Sequence, residues 1–284
     1  MLLEVAVGDA LGAGYEFNDP AIELHRDNLL HGYVQHAKHV GIKPGMYTDD
    51  TQMSVGTAEA ILSGELWAPE TLVRHWLAAF QRDPRDGYAR GFQAFLETHH
   101  TVEAFLADIR PDSDRAGAAM RAGPIGLIRE PDRVIEMATV QAEVTHRTPG
   151  GVDSAVAAAL MVWHCHRSVE LKKHLPAFLA ARVPGHPWQE PWKGRVGVAG
   201  LECVAAALTA VVECDSLTGI LDHCIRYGGD VDTVAAIAMA AASGSAEVAQ
   251  DLPRHLIDRL ENGKYGRDYL VELDATLTRV AGER

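Results

Sequence analysis

The chain has 284 residues, of which 47% are hydrophobic and only 6% aromatic, and its formal net charge is −13. A negative net charge of this size argues against broad, sequence-independent binding to nucleic acid, because such binding requires clustered Lys and Arg. Abundant alanine with few aromatic residues favours helices packed through small side chains over a sheet rich in β-branched and aromatic residues.

The cysteines and the apolar stretches predict the compartment. Four cysteines occur without a C-x-x-C pair, and three of them fall in apolar stretches, so we predict reduced core thiols. No stretch approaches the roughly 20 apolar residues of a membrane span, and the first residues lack the pattern of a signal peptide. We therefore predict a cytoplasmic, monomeric protein that does not associate with membranes.

Helical spacing of apolar residues recurs along nearly the whole chain, and no segment alternates as a strand does. The first predicted helix ends in a glycine-rich turn that exposes Glu16. With no linker and no repeat, the pattern predicts an all-α fold, a compact single-domain orthogonal helical bundle over residues 1–284. The further predicted helices cover residues 51–62, 69–80, 131–144, 152–166, 196–212, 217–227, 231–242, 253–260 and 268–280.

Two acidic clusters stand far apart in the sequence, and each precedes an alanine-rich helical pattern. Side chains two residues apart diverge on a helix, so the rear carboxylates converge only where the backbone turns, and a glycine pair precedes them. Several oxygen donors on a rigid frame suit hard cations, so magnesium, manganese or calcium is expected before zinc. The clusters are Thr48-Asp49-Asp50-Thr51 and Gly229-Asp230-Val231-Asp232-Thr233.

Helix capping is the alternative interpretation of both clusters. Asp and Thr are favoured at helix starts, where a side-chain cap contributes about 1 kcal/mol. Each cluster by itself is compatible with capping or with metal binding. Two clusters that both exceed what a single cap requires favour a metal site.

Further signals are assigned structural roles. Asp9 lies on an apolar helix, so we predict a buried partner and a structural role for it. The histidines at 25, 31, 36 and 39 are predicted to be surface residues. Trp188 and Trp192 lie in a proline-rich loop, which predicts ordinary loop packing, with a wall of a substrate cleft as the alternative.

These elements together resemble the ADP-ribosylglycohydrolase family, in the expected order over almost the whole chain. The individual motifs are weak signals, whereas the ordered set is specific. The matching segments are Gly8-Asp9-Ala10-Leu11-Gly12 with Glu16, Pro44-Gly45-Met46-Tyr47-Thr48-Asp49-Asp50-Thr51-Gln52-Met53, Arg85-Asp86-Gly87-Tyr88, Gly117-Ala118-Ala119-Met120-Arg121, Thr145-His146, Gly228-Gly229-Asp230-Val231-Asp232-Thr233 and Gly266-Arg267-Asp268-Tyr269-Leu270.

The resemblance implies the family's all-α fold and a centre of two divalent cations, Mg²⁺ or Mn²⁺. Glu16 matches the family's mobile active-site glutamate, and it is expected to act in catalysis together with Asp49 and Asp232. A loop over residues 117–121 is expected to wrap ADP-ribose. The implied metal ligands are Thr48, Asp49, Asp50, Asp230, Asp232 and Thr233, and the implied substrate-binding residues are Gly117, Ala118, Met120, Arg121 and His146.

The implied reaction is hydrolysis of the ribose C1″ glycosidic bond in an ADP-ribosylated protein side chain or a related acceptor, with release of ADP-ribose. Two alternatives remain at the level of the sequence. One is a non-catalytic relative that binds ADP-ribose or has a structural role, and the other is a two-metal hydrolase of another glycoside or of a phosphoester. The sequence departs from the family pattern at Ala116, where asparagine is common, and at Val231, where threonine is usual.

Overall fold

The chain folds into a succession of helices, described by a computed structural model over residues 1–167 and 171–283. Among these residues there is no β-sheet, only isolated bridges, so the predicted all-α class is confirmed. The helices are α1 (Leu2–Ala13), α2 (Asp19–Leu24), α3 (Asp49–Ser63), α4 (Pro69–Arg82), α5 (Arg90–Thr98), α6 (Val102–Asp108), α7 (Gly117–Met120), α8 (Pro131–Glu143), α9 (Pro149–Arg167), α10 (Leu175–Arg182), α11 (Gly200–Glu213), α12 (Leu217–Arg226), α13 (Val231–Ala242), α14 (Arg254–Arg259) and α15 (Arg267–Glu283), with short 3-10 turns at Gly123–Leu127 and Lys172–His174.

Helix α13 lies at the centre of the fold, as a sequence that is apolar on all sides after its first turn predicts. All of its residues are buried, and it packs against α1, α9, α11 and α12. Because its first turn carries the rear acidic cluster, the burial of this helix places two carboxylates at the edge of the core.

Helix α1 lies directly against α13 because glycines face the contact. A Cβ at Gly8 would lie 3.0 Å from the backbone carbonyl of Ala235, and one at Gly12 would lie 2.3 Å from the Cα of Asp232. No side chain fits between the two helices at these points. The backbone of α1 therefore sits next to the rear acidic cluster.

Several segments differ from the sequence predictions. Helix α11 begins at Gly200, later than the predicted residue 196, because the backbone of Val196 hydrogen-bonds to Gly228 and Asp230 instead. The expected loop at residues 117–121 contains the one-turn helix α7. Helices α2, α5, α6 and α10 were not predicted; each has nine residues or fewer, and helices of this length are held by packing more than by their own propensity.

The first and last helices meet. The N-terminal ammonium group of Met1 lies 2.7 Å from the carboxylate of Asp274 in α15. Across the described ranges, no helix combines the length and apolarity needed to cross a membrane.

Candidate active site

Both acidic clusters line a single cavity of about 450 Å³. The clusters lie far apart in the sequence, and the sequence alone does not show that they meet. The volume lies in the range of small-molecule sites, about 300–1,000 Å³. Of the residues implied to be catalytic or metal-binding, those that line the cavity are Glu16, Asp49, Asp50, Asp230, Asp232 and Thr233.

The front cluster is held by the buried carboxylate of Asp9 in α1. This carboxylate accepts hydrogen bonds from the backbone N–H groups of Thr48, at 2.9 Å, and Thr51, at 3.0 Å. It also accepts from their hydroxyls, at 2.7 Å and 2.6 Å. Asp9 thus supplies from another helix the cap that the first turn of α3 needs, and its predicted structural role agrees with these contacts.

Because Asp9 provides the cap, the acidic residues of α3 are not used as caps. The N-cap residue Thr48 makes no side-chain capping bond, and neither does Asp230 at the start of α13. Capping by these residues therefore does not account for the clusters. Asp49 and Asp50 occupy the first turn of α3 and line the cavity.

The rear cluster is held by its backbone. Gly229 has a φ of +93°, and a Cβ there would lie 1.8 Å from the carbonyl oxygen of Val196. The N–H of Asp230 donates to that same oxygen at 3.3 Å. Only glycine fits at position 229, and the turn it permits points Asp230 and Asp232 into the cavity.

Glu16 joins the rear cluster across the turn that follows α1. Phe17 adopts a φ of +46°, and its N–H donates to the carbonyl oxygen of Gly229 at 2.9 Å. Glu16, Asp230 and Asp232 each offer a carboxylate oxygen, and these atoms lie within 4.8 Å of one another. Three carboxylates this close suit a hard divalent cation.

The front cluster also fits a cation. The Oδ1 atom of Asp50 is buried and has no hydrogen-bond partner among the described residues. A buried carboxylate oxygen without a partner is costly unless a cation or water meets it. The donor set consists of oxygen atoms, which agrees with magnesium, manganese or calcium.

Thr48 stands apart from the other implied ligands. Its hydroxyl donates to Asp9 and it does not line the cavity. A hydroxyl that donates its proton to a carboxylate keeps its lone pairs, so the contact with Asp9 is compatible with ligation.

The acidic groups disfavour one another's ionised forms. Burial, and after it the charge of Asp9, raises the pKa of Asp49 well above its usual value. The pKa of Asp50 is raised by burial and by Asp49, and that of Asp232 by burial and by Glu16. Burial raises the pKa of Asp230 to about 6. Cations in the cavity would offset this repulsion.

A second wall of the cavity is formed by α7 and the segment after α8. A Cβ at Gly117 would lie 3.0 Å from the imidazole of His146, so the two residues are in close contact. Gly117, Met120, Arg121 and His146 line the cavity. Ala118 is fully buried and does not line it, and its carbonyl oxygen accepts a hydrogen bond from Gln141.

Arg121 and His146 form a buried network in this wall. Arg121 donates to Gln141 and, at 2.7 Å, to the hydroxyl of Thr145, which lies 2.6 Å from Nδ1 of His146. Burial lowers the pKa of Arg121 to about 9, so it stays cationic near neutral pH. Burial, with the charge of Arg121, lowers the pKa of His146 to about 3, so this imidazole is neutral.

The comparisons with known proteins agree with the geometry. The family described as ADP-ribosylglycohydrolase matches residues 1–284. The chain belongs to the ADP-ribosylglycohydrolase family.

Relatives of this family cover most of the chain. It is 26% identical to ADP-ribosyl-dinitrogen reductase glycohydrolase of Rhodospirillum rubrum over 97% of this chain and 93% of that protein. It is 24% identical to ADP-ribosylarginine hydrolase Tri1 of Serratia proteamaculans over 91% of this chain and 74% of that protein. A solved structure described as an ADP-ribosylglycohydrolase-related protein complex matches with a TM-score of 0.73 at 21% identity, covering 99% of this chain and 96% of that one.

Family membership confirms the enzyme class predicted from the sequence, a glycosidic-bond hydrolase. The neighbour in the solved structures shows that the fold is the family's all-α fold. The assignment of individual site residues remains a prediction.

One prediction about the surroundings of the ADP-ribosylglycohydrolase site is wrong. His36 was expected at the surface, yet its side chain is only 2% exposed and its Nε2 lies 3.0 Å from the carboxylate of Glu16. Sequence reasoning missed it because the segment around it has no helical period, and isolated histidines carry no signal of their partner. The tryptophan predicted to pack its loop, Trp188, is buried and donates to the carbonyl oxygen of Val183.

Proposed function

We propose that this protein hydrolyses the ribose C1″ glycosidic bond of ADP-ribosylated acceptors, releases ADP-ribose and depends on Mg²⁺ or Mn²⁺. One observation carries the proposal. Carboxylates from three separate parts of the chain line one cavity of about 450 Å³, which is also lined by the neutral imidazole of His146. The names of the relatives, which include glycohydrolases and an ADP-ribosylarginine hydrolase, support the substrate class.

The residues that would hold two cations are Thr48, Asp49, Asp50, Asp230, Asp232 and Thr233. Bound there, Mg²⁺ or Mn²⁺ supplies Lewis-acid chemistry and lowers the pKa of water. The carboxylates among these residues line the cavity, where they would orient the ribose hydroxyls. As the leaving group departs, positive charge develops on the ribose ring, and the acidic side of the cavity stabilises it.

Glu16 is proposed as the group that accepts a proton from the attacking water. Its carboxylate lies beside Asp230 and Asp232 and is partly exposed to the cavity. A positioned general base contributes about 10²–10⁴-fold to the rate. Asp49 and Asp232 are proposed to share in catalysis by positioning the sugar and stabilising its charge.

The second wall, formed by α7 and the segment after α8, is proposed to hold ADP-ribose. Gly117 allows the close approach of a pyrophosphate to backbone N–H groups. His146 offers an imidazole that is neutral, so it forms no ion pair with the carboxylates of the cavity. Tyr88 and Phe92 also line the cavity and offer apolar surface to a base.

Residues 1–284 are proposed to act as one domain and one monomer. The contact between the N-terminal ammonium group and Asp274 ties the first helix to the last. Both acidic clusters and Glu16 belong to the same chain, so the proposed site needs no second subunit.

The test is hydrolysis of ADP-ribosyl-arginine, ADP-ribosyl-serine and an ADP-ribosylated protein with Mg²⁺ or Mn²⁺. We expect release of free ADP-ribose that EDTA abolishes, and a loss of at least about 100-fold in kcat for Glu16→Gln with ADP-ribose affinity retained. Tight binding of ADP-ribose without turnover of any substrate would instead identify a non-catalytic binding protein. Turnover of Glu16→Gln at the parent rate would exclude Glu16 as the base.

A further inference from the structure

A second loop crosses the end of α1 beside the acidic cavity. A Cβ at Gly14 would lie 2.6 Å from the carbonyl oxygen of Val34, so the backbone of this loop rests directly on the turn that carries Glu16. Two residues further along, His36 is buried, and its Nε2 lies 3.0 Å from Oε2 of Glu16. The loop thus places an imidazole against the proposed catalytic base.

The hydrogen bonds of His36 determine its tautomer. Its Nδ1 accepts the backbone N–H groups of Lys38, at 3.0 Å, and His39, at 3.2 Å. A ring nitrogen that accepts hydrogen bonds carries no proton, so the ring proton lies on Nε2. His36 therefore donates to Oε2 of Glu16 and leaves the other carboxylate oxygen available to the cavity.

The same loop also contacts the residue after Glu16. The ammonium group of Lys38 lies 5.2 Å from the centre of the Phe17 ring, a distance that suits a cation–π contact. Phe17 has a positive φ, and its N–H is bound to Gly229. Glu16 is thus held through its own carboxylate by His36 and through its neighbour by the rear cluster and by Lys38.

Resting on the function proposed above, we infer that His36 is a positioning residue: its Nε2–H holds the Glu16 carboxylate toward Asp230 and Asp232, where Glu16 accepts the proton of the attacking water. His36 touches neither the substrate nor the reacting atoms. Side chains that orient a catalytic group through a hydrogen bond typically contribute about 10–100-fold to activity, and a misplacement of about 1 Å is enough for a loss of that size.

Two substitutions of His36 test the roles of its two ring nitrogens separately. In His36→Gln the longer amide places an N–H donor near the position of Nε2, whereas in His36→Asn the shorter amide places an acceptor near Nδ1 and leaves Glu16 without its donor. We expect His36→Asn to lower kcat about 10–100-fold with KM changed less than about 3-fold. His36→Gln should keep kcat within about 5-fold of the parent.

His39→Asn is the matched control. Its imidazole is exposed and packs against His36, with ring centres 4.9 Å apart, but it does not line the cavity. We expect His39→Asn to have the same kcat and KM as the parent protein. Combining His36→Asn with Glu16→Gln should cause no loss beyond that of Glu16→Gln alone, because residues that act through one another are not additive.

A kcat of His36→Asn equal to that of the parent would overturn the inference. The inference would also be overturned if His36→Asn lowered kcat by the same factor in the Glu16→Gln variant as in the parent. A long-range ¹⁵N–¹H NMR spectrum of the parent protein tests it without any turnover, with the His36 proton expected on Nε2. A proton on Nδ1 would overturn it even if the variants fail to fold. A parent that releases no ADP-ribose defeats the proposed function, while the NMR experiment still decides the His36 contact.

Discussion

The two acidic clusters occupy the same kind of position, the first turn of a buried helix, but they are held by different means. The front cluster depends on one side chain, because the Asp9 carboxylate binds both the backbone and the hydroxyls of Thr48 and Thr51. The rear cluster depends on backbone shape, because Gly229 lies against Val196 and Gly12 lies against Asp232. One cluster is held by hydrogen bonds and the other by steric fit.

Helix α1 connects the two arrangements. Asp9 and Gly12 are three residues apart, so they lie on neighbouring positions of one face of the helix. The carboxylate of Asp9 accepts hydrogen bonds from the first turn of α3, and Gly12, which has no side chain, lets α13 pack directly against α1. The register of α1 therefore sets how far apart the two clusters lie, although α1 contributes no residue to the lining of the cavity.

The largest effect is expected at the rear cluster, from Gly229→Ala. An added Cβ would lie 1.8 Å from the carbonyl oxygen of Val196, so the turn cannot form without a backbone shift. We expect a loss of more than about 3 kcal/mol in the free energy of unfolding, measured by chemical denaturation, or failure to fold.

Gly185→Ala is the control for this substitution. Gly185 has the same φ of +93°, but an added Cβ there meets nothing within 4 Å. Gly185→Ala should lower the free energy of unfolding by only about 1 kcal/mol, the usual strain of a non-glycine residue at positive φ. Equal losses from the two variants would show that strain at φ, and not the contact with Val196, governs position 229.

The next largest effect is expected at the front cluster, from Asp9→Asn. The amide keeps one acceptor oxygen and places N–H donors against the N–H and hydroxyl donors of Thr48 and Thr51. We expect a loss of about 2–4 kcal/mol in stability and a loss of Mn²⁺ affinity, measured by calorimetry. The partly exposed carboxylate of Asp222, paired with Arg226 in the same helix, provides the control Asp222→Asn, which should change stability by less than about 0.5 kcal/mol.

The third effect is the pH dependence of the metal-free protein, which is spread over about two pH units. Burial raises the folded-state pKa of Asp230 to about 6, above an unfolded value of about 3.9. The folded protein therefore binds more protons than the unfolded chain between about pH 4 and pH 6, and stability from this group falls as pH rises through that window, by at most about 1.4 kcal/mol per pH unit.

We expect Asp230→Asn to make the fall in stability between about pH 4 and pH 6 shallower, because the substitution removes one of the titrating groups. Mn²⁺ should raise the unfolding temperature of the parent more at about pH 8 than at about pH 5, since ionised carboxylates bind it better. EDTA should reverse the rise. A larger stabilisation at the lower pH would contradict carboxylate ligation by either cluster.

Much of the architecture was accessible from the sequence. The helix over residues 231–242 was predicted with the bounds that the structure shows, and its sequence, apolar on all sides after the first turn, predicts its place at the centre of the fold. The ordered motifs identified the family, which the comparison over residues 1–284 confirms. The short helices α5 and α6 were missed, since segments of this length are held by packing more than by their own apolar period.

The sequence by itself determined which residue types were available: two sets of carboxylates, each at the start of a helix, and a glutamate after a glycine-rich turn. Only the tertiary structure decided that the two sets face one cavity, that Asp9 caps α3, and that His36 donates to Glu16. The reason is physical. Local patterns encode helices through the periodic burial of apolar side chains, whereas a hydrogen bond between distant residues depends on the distance and angle that packing sets.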